Sequence, residues 1–222
     1  MRRVTIVVLP LILLALSVSP ALAHQPFFED EDITPEKPWF VAKPTVSTAI
    51  YATLDSRTDV DYFAFDGKKG QTILLSIVIP QIAGQESFAP TMALMGPSLG
   101  SASLPAKVEK PADAGAYLLP ALTGPAKTFY EPFGRKSYWE RQEERVTLPA
   151  DGRYTVAVWN DDAQVGRYTF VVGDREIPGG DPAYGRKMGA YWTPVPAPEP
   201  VQAAPVVMPT KMSGCGEEFR TW

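Results

Sequence analysis

The sequence contains very little histidine and cysteine. Its 222 residues include one histidine, His24, and one cysteine, Cys215. A lone cysteine excludes a disulfide within the chain, and a lone histidine excludes zinc sites built on several imidazoles. Any serine or cysteine triad would have to use His24, which lies in a proline-rich, acidic stretch. Paired-carboxylate hydrolysis stays open, but no spacing selects a pair. We therefore expect a protein that is not an enzyme.

Positive charge is also scarce. Lysine and arginine number 21 against 25 acidic residues, and the formal net charge is −4. Nucleic-acid binding depends largely on lysine and arginine neutralising phosphates. The charge balance therefore predicts no nucleic-acid partner and no adhesion to anionic lipid.

Long apolar runs are missing except at the N-terminus. Arg2 and Arg3 precede a mostly apolar stretch over residues 4–18, and Ala21 and Ala23 form an A-x-A end. This pattern predicts a secretory signal over residues 1–23, cleaved before His24. A membrane anchor would need about 20 apolar residues. We expect an extracytoplasmic protein, periplasmic or extracellular, with no transmembrane segment after cleavage. Loss of the two arginines takes the net charge from −4 to −6.

Proline is concentrated in two segments. Residues 24–44 contain four prolines, and residues 193–209 contain six. Proline lacks an amide donor and breaks helices and central strands. We interpret 24–44 as an extended acidic arm lying along the domain. Residues 176–222 are interpreted as a proline-rich tail that tethers the protein and lies outside its fold.

Residues 45–175 have the pattern of β-strands throughout. Apolar runs or alternations between turn residues recur, as in 60–66 and 72–79. The alternating segments 152–158 and 166–172 are predicted to form an antiparallel hairpin. The polar segment 137–145 is the only helix candidate and equally fits an edge strand or loop. The pattern predicts an all-β fold, a single antiparallel β-sandwich or jelly roll of about eight strands. Four residues are predicted to lie in its core: Phe63, Ile77, Val156 and Phe170.

Three pieces of this region carry a resemblance to a known family. They are DVDYFAF at 59–65 with GQT at 70–72, ADGRYTVAV at 150–158, and GRYTF at 166–170. Together they resemble the bacterial pre-peptidase C-terminal domain family. The resemblance implies a small β-sandwich that serves as an accessory domain of exported proteins. It also implies that a calcium ion can tie the N-terminal linker to the domain.

Acidic residues cluster at two places that bear on such a site. Calcium binds six to eight oxygen ligands, largely from carboxylates and carbonyls. The candidate calcium ligands are Glu29, Asp30, Asp32, Asp59 and Asp61. Neither cluster has the spacing of a helical calcium loop, and a solvated acidic surface with turn-capping aspartates is the alternative. No other cofactor is expected.

Aromatic residues outside the clearest strands form a second candidate site. Tyr138, Trp139, Tyr191 and Trp192 are predicted as an exposed platform for a protein or sugar polymer, or as a cover for the edges of the core. Cys215 is a candidate attachment point through a disulfide-linked partner, or an incidental thiol. We therefore expect an exported, non-catalytic accessory or binding module that recognises a protein or cell-surface polymer. The alternatives are a structural subunit of an envelope assembly, tethered through its tail, and, less favoured, a hydrolase with an unrecognised site.

Overall fold

The computed structural model describes residues 24–122, 124–132 and 134–196. These residues form eleven strands and one helix. The strands are β1 (Gln25–Phe28), β2 (Trp39–Phe40), β3 (Thr48–Leu54), β4 (Val60–Gly67), β5 (Thr72–Pro80), β6 (Thr91–Gly96), β7 (Gly115–Leu119), β8 (Lys127–Glu131), β9 (Lys136–Thr147), β10 (Gly152–Trp159) and β11 (Gly166–Val172). The helix, α1, covers Tyr184–Tyr191.

The strands build two facing sheets. One sheet has the order β1-β3-β11-β5-β9-β8, and the other has the order β2-β4-β10-β6-β7. The predicted all-β sandwich is therefore confirmed. The strand count exceeds eight partly because the N-terminal arm adds one edge strand to each sheet. Strand β1 pairs in parallel with β3, and β2 pairs in parallel with β4. Pro26 is tolerated in β1 because edge strands need fewer amide donors.

The core lies between the two sheets. The four residues predicted as core, Phe63, Ile77, Val156 and Phe170, all have 0% of their surface exposed. Phe63 of β4 and Phe170 of β11 face each other across the sheets, with ring centroids 4.4 Å apart. The alternation in these strands therefore predicted the buried faces correctly. The tight turn after β4 is completed by Gly70, whose φ of 79° favours glycine.

The predicted hairpin between the last two strands is wrong. Strand β10 pairs with β4 and β6, whereas β11 pairs with β3 and β5, so the two strands lie in different sheets. The connection over 160–165 crosses from one sheet to the other. It is held by side-chain bonds, such as the Gln164 amide donating to Asn160 Oδ1 at 2.9 Å. Turn formers mark a change of direction, but they do not fix which strand becomes the partner.

Two further expectations need correction. The segment 137–145 lies within β9, a strand paired on both sides by β5 and β8. The fold also extends beyond residue 175, because α1 packs on the outer face of the six-stranded sheet and buries Met188 and Tyr191. The fold therefore continues past the predicted boundary at residue 175.

No helix within the described ranges is long and apolar enough to cross a membrane. The predicted signal over 1–23 and the attachment candidate Cys215 lie outside the described residues.

Candidate metal centre

One end of the space between the sheets collects carboxylates from the arm and from β4. Ligand atoms of Glu29, Asp32 and Asp61 all lie within 4.8 Å of one another. Three of the five calcium candidates predicted from the sequence are thereby brought together, although they are separated by up to 32 positions in the chain.

Glu29 reaches this place because β1 continues its pairing with β3. The Glu29 amide donates to the Tyr51 carbonyl at 2.9 Å, which extends the parallel ladder by one residue. The Glu29 side chain then accepts a hydrogen bond from the Thr53 amide at 2.8 Å. The next anchor is Ile33, which is 2% exposed and accepts a hydrogen bond from the Tyr62 amide. Between these anchors the chain carries Asp32 past the end of the sandwich.

Asp61 occupies an inward-facing position of β4. Alternation along the strand places Asp61, Phe63 and Phe65 on the face that meets the other sheet, and Asp61 is completely buried. Its Oδ2 accepts a hydrogen bond from the Tyr168 hydroxyl at 2.5 Å. Its Oδ1 is buried and has no hydrogen-bond partner among the described residues. A buried oxygen of this kind is costly unless a proton or a cation compensates it.

Neighbouring turns add further negative charge. Asp59 accepts a hydrogen bond from the Asp55 amide at 2.7 Å, and both carboxylates raise the pKa of Glu29. In the part of the chain that the structure describes, none of Glu29, Asp32, Asp55, Asp59 and Asp61 makes an ion pair. The cluster of these five residues, called here the carboxylate cluster, therefore has no cationic partner within ion-pairing distance in that part.

The pKa values in the carboxylate cluster reflect this crowding. Burial raises the pKa of Glu29 to about 8; the Thr53 amide opposes the rise, and Asp59, Asp32 and Asp55 add to it. Burial, followed by repulsion from Glu29 and Asp59, raises the pKa of Asp61 well above its usual range. Burial also raises the pKa of Asp59 to about 6. Without a cation, Glu29 therefore retains a proton near neutral pH, and the raised pKa of Asp61 favours its protonated form.

The donor set indicates which ions fit. It consists of carboxylate oxygens without imidazole or thiolate, which suits hard cations such as Ca²⁺ better than copper or zinc. A divalent cation would replace the retained protons and would supply a partner for the free oxygen of Asp61.

The remaining calcium candidates have different positions. Asp59 lies in the turn before β4 and belongs to the carboxylate cluster, but it is not one of the three residues whose ligand atoms lie within 4.8 Å of one another. Asp30 points away and pairs with Lys187 of α1, with Asp30 Oδ2 and Lys187 Nζ 2.7 Å apart. Sequence reasoning missed Asp55 and Tyr168. The pattern of β11 marked Tyr168 as inward-facing, but it did not show that the hydroxyl meets Asp61.

The predicted aromatic platform is not an exposed surface. Tyr138 and Tyr191 are only 2% and 5% exposed. Trp139 and Trp192 are partly buried against hydrophobic clusters. Tyr138 and Trp192 meet edge to face at 5.3 Å. These rings cover the edges of the core, which was the alternative considered from the sequence.

Comparison with known proteins gives resemblance at the level of fold. No protein-family model matches the sequence, and no curated protein matches it. The pre-peptidase C-terminal domain of a Bacillus anthracis collagenase is similar in structure. It is 14% identical, with a TM-score of 0.34, over 64% of this chain and 99% of the domain. This similarity agrees with the resemblance stated from the sequence at the level of fold and goes no further.

Two copper-binding proteins also share structural similarity. The secreted protein MopE of Methylococcus capsulatus is 14% identical, with a TM-score of 0.26, over 52% of this chain and 70% of its own. The surface-associated protein CorA of Methylomicrobium album BG8 is 10% identical, with a TM-score of 0.30, over 70% of this chain and 99% of its own. At these values the similarities say nothing about the ligands of this chain.

Proposed function

We propose that the chain is an exported, non-catalytic accessory module whose N-terminal arm is fastened to the sandwich by a bound calcium ion. The observation that carries this proposal is the buried Asp61 carboxylate, which lies beside Glu29 and Asp32 and has one oxygen without a hydrogen-bond partner in the described part of the chain. Glu29 and Asp32 belong to the arm, and Asp61 belongs to β4. An ion held by all three would therefore join the arm to the domain.

The gain from such an ion is thermodynamic. A ligand that binds only the folded chain stabilises it by about 2.7 kcal/mol when its concentration is 100 times the dissociation constant. Without the ion, the carboxylate cluster must hold protons or bear mutual repulsion. A bound ion would therefore remove the repulsion between the carboxylates and would link the arm to the sheet.

The test uses the chain from His24 to Trp222, beginning at the predicted cleavage point. Its melting temperature is measured in chelator, Ca²⁺ and Mg²⁺, and stoichiometry is measured by calorimetry. We expect one Ca²⁺ site and a higher melting temperature in Ca²⁺ than in chelator. Cleavage by a glutamate-specific protease after Glu36, an exposed residue of the arm, should slow when Ca²⁺ is present.

Matched variants distinguish the site from general charge effects. Asp32→Asn removes an exposed member of the carboxylate cluster and should abolish the calcium response. Asp30→Asn, two residues away, removes a carboxylate that pairs with Lys187 instead and should keep the response. Cu²⁺ is the comparison ion, because it prefers nitrogen ligands. Identical melting curves in calcium and chelator would refute the calcium proposal.

The target of the module is proposed to be a protein or a cell-surface polymer. Support comes from exposed apolar side chains at the outer edges of both sheets: Tyr117 and Leu118 on β7 are 42% and 36% exposed, and Tyr130 on β8 is 56% exposed. Binding to isolated envelope fractions should fall for Tyr117→Ser with Leu118→Ser. Equal binding by this variant and by the parent chain would rule out the β7 edge as the contact.

A further inference from the structure

A groove of about 630 Å³ runs between the edges of the two sheets, where β1 and β2 end their respective sheets. Aromatic side chains form much of its wall. Phe27 and Trp39 meet inside it with ring centroids 6.1 Å apart. Phe40 also lines the groove and remains 48% exposed. An apolar groove with aromatic walls is the type of surface that binds extended proline-rich segments.

The chain itself contains a segment of this composition. Residues 193–209 include six prolines, and prolines alternate with other residues from Pro194 to Pro200. Such a sequence favours the polyproline II conformation and loses little conformational entropy on binding. Glu199 is its only charged residue. Lys43 lies at the groove, is exposed, and makes no ion pair within the described ranges.

The start of this segment lies near one end of the groove. Arg167 donates to the Thr193 carbonyl at 2.7 Å and to Thr53 Oγ1 at 3.0 Å. The Thr53 amide in turn donates to Glu29 at 2.8 Å. The residues that follow Glu29, at 30–32, line the groove. Three hydrogen bonds therefore connect the beginning of the segment to the groove.

We propose that the proline-rich segment 196–209 of the same chain binds in the groove between β1 and β2. Residues from 197 onward lie outside the described part. A short tether gives an effective concentration on the order of millimolar. A weak intrinsic affinity is therefore sufficient for occupancy within one chain.

The dimensions set the register. From Asp61 to Gly67, β4 spans about 20 Å at roughly 3.3 Å per residue. Polyproline II covers this distance in about seven residues at roughly 3.1 Å each. A segment that starts near Thr193, at the Asp61 end, therefore reaches the Gly67 end near residue 200. Lys43 lies at that end, because β2 runs parallel to β4 and the pairing of Phe40 with Ala64 reaches Gly67 when it is continued for three residues.

Disulfide trapping tests this register. In the chain from His24 with Cys215→Ser, one variant carries Lys43→Cys and Val201→Cys. The control carries Lys69→Cys and Val201→Cys. Lys69 is also exposed and follows β4 directly, so it lies towards the same end of the domain, but it does not line the groove. We expect the Lys43→Cys pair to form an intrachain disulfide at least about tenfold faster, as expected for docking within one chain.

Two further variants keep the test decisive. Trp39→Ala should remove the difference in rate, with circular dichroism used to check folding. Replacement of Pro194, Pro196, Pro198 and Pro200 by serine leaves the groove intact and should have the same effect. Equal rates for the two cysteine pairs would overturn the proposal, and so would disulfides that form only between molecules. Neither outcome bears on calcium binding, which is measured separately.

Discussion

Strands β4 and β11 meet across the sandwich in two different ways, only two residues apart on each strand. Phe63 packs on Phe170 with ring centroids 4.4 Å apart. Asp61 accepts a hydrogen bond from Tyr168 at 2.5 Å. All four residues are completely buried, so burial does not distinguish the pairs.

The difference lies in what each pair requires from its surroundings. The two phenylalanines are stabilised by leaving water, at any pH and without a ligand. The Asp61 carboxyl must keep a proton or gain a cation, because charge without compensation is costly in the interior. The same face of β4 thus carries one contact that needs no partner, at Phe63, and one contact that needs a proton or a cation, at Asp61. The following predictions test this contrast.

The largest expected effect is loss of the phenylalanine contact. Phe170→Ala should lower the free energy of unfolding by about 3–5 kcal/mol, since it deletes a fully buried aromatic ring and leaves a cavity. Chemical denaturation measures this loss. The loss should be the same in calcium and in chelator, because the phenyl ring neither titrates nor offers a ligand to the ion. An unchanged stability would contradict the assignment of Phe170 to the core.

The second effect is expected at Tyr168. Tyr168→Phe removes the hydroxyl and leaves both oxygens of Asp61 without a hydrogen-bond partner among the described residues. This should cost about 1–3 kcal/mol in chelator. Calcium should reduce the loss by providing a replacement partner.

Tyr154→Phe is the control for this prediction. The sequence Gly-Arg-Tyr-Thr occurs twice, at 152–155 and at 166–169, and Tyr154 occupies the same place in the first copy as Tyr168 in the second. Its hydroxyl donates to the Ala150 carbonyl at 2.8 Å. The cost of Tyr154→Phe should be equal with and without calcium. If Tyr168→Phe behaves in the same way, the proposed role of the ion at Asp61 is wrong.

The two regions also differ in how far the sequence predicts them. The sequence predicts which faces of β10 and β11 are buried, because apolar residues occupy every second position along these strands. The assembly of the carboxylate cluster depends on parallel pairing of β1 with β3, a contact between distant segments. Composition alone identifies Glu29, Asp30 and Asp61 as candidate calcium ligands. The pairing of β1 with β3 is needed to show that Glu29 faces the carboxylate cluster and that Asp30 faces Lys187.

The helix α1 escaped prediction for another reason. Its eight residues include Gly185 and Gly189, which lower helix propensity. The helix is stabilised by packing Met188 and Tyr191 onto the sheet. The residues of the sheet that they contact are distant in sequence, so the local sequence does not predict this packing. The fold therefore continues past the predicted boundary at residue 175 as far as this helix, while the proline-rich tail stays a prediction.

The third prediction concerns pH. The pKa of Glu29 is about 8 in the folded chain, whereas an unfolded glutamate titrates near 4.5. The folded state therefore holds a proton that the unfolded state has lost, and stability in chelator should fall as pH rises from about 4.5 to 8. The pKa of Asp59, about 6, adds to this within the same window.

We expect a loss of at least about 1 kcal/mol between pH 5 and 8, since each unit by which the folded pKa exceeds the unfolded pKa contributes about 1.4 kcal/mol. The groups that face Glu29 include Asp32, Asp55, Asp59 and Asp61. Calcium should flatten or reverse the trend, because it needs ionised ligands. Glu29→Gln is the control and should weaken the pH dependence. Stability in chelator that rises from pH 5 to 8 would contradict the assigned protonation.

The smallest effect is expected at Asp30, which distinguishes two neighbouring carboxylates of the arm. Asp30 pairs with Lys187 at 2.7 Å, and its side chain is 67% exposed. Ion pairs in water contribute about 0–1 kcal/mol, because solvent and salt screen them. Asp30→Asn should therefore lower stability by less than about 1 kcal/mol, and the effect should vanish in high salt. Lys187 retains its second partner, Asp181, at 2.8 Å, which limits the loss further. Thermal melts of Asp30→Asn and Asp32→Asn at low and high salt, each with calcium and with chelator, measure the contrast. A calcium-dependent loss at Asp30 would place this residue among the ligands, and the boundary drawn between the ion pair and the carboxylate cluster would have to move.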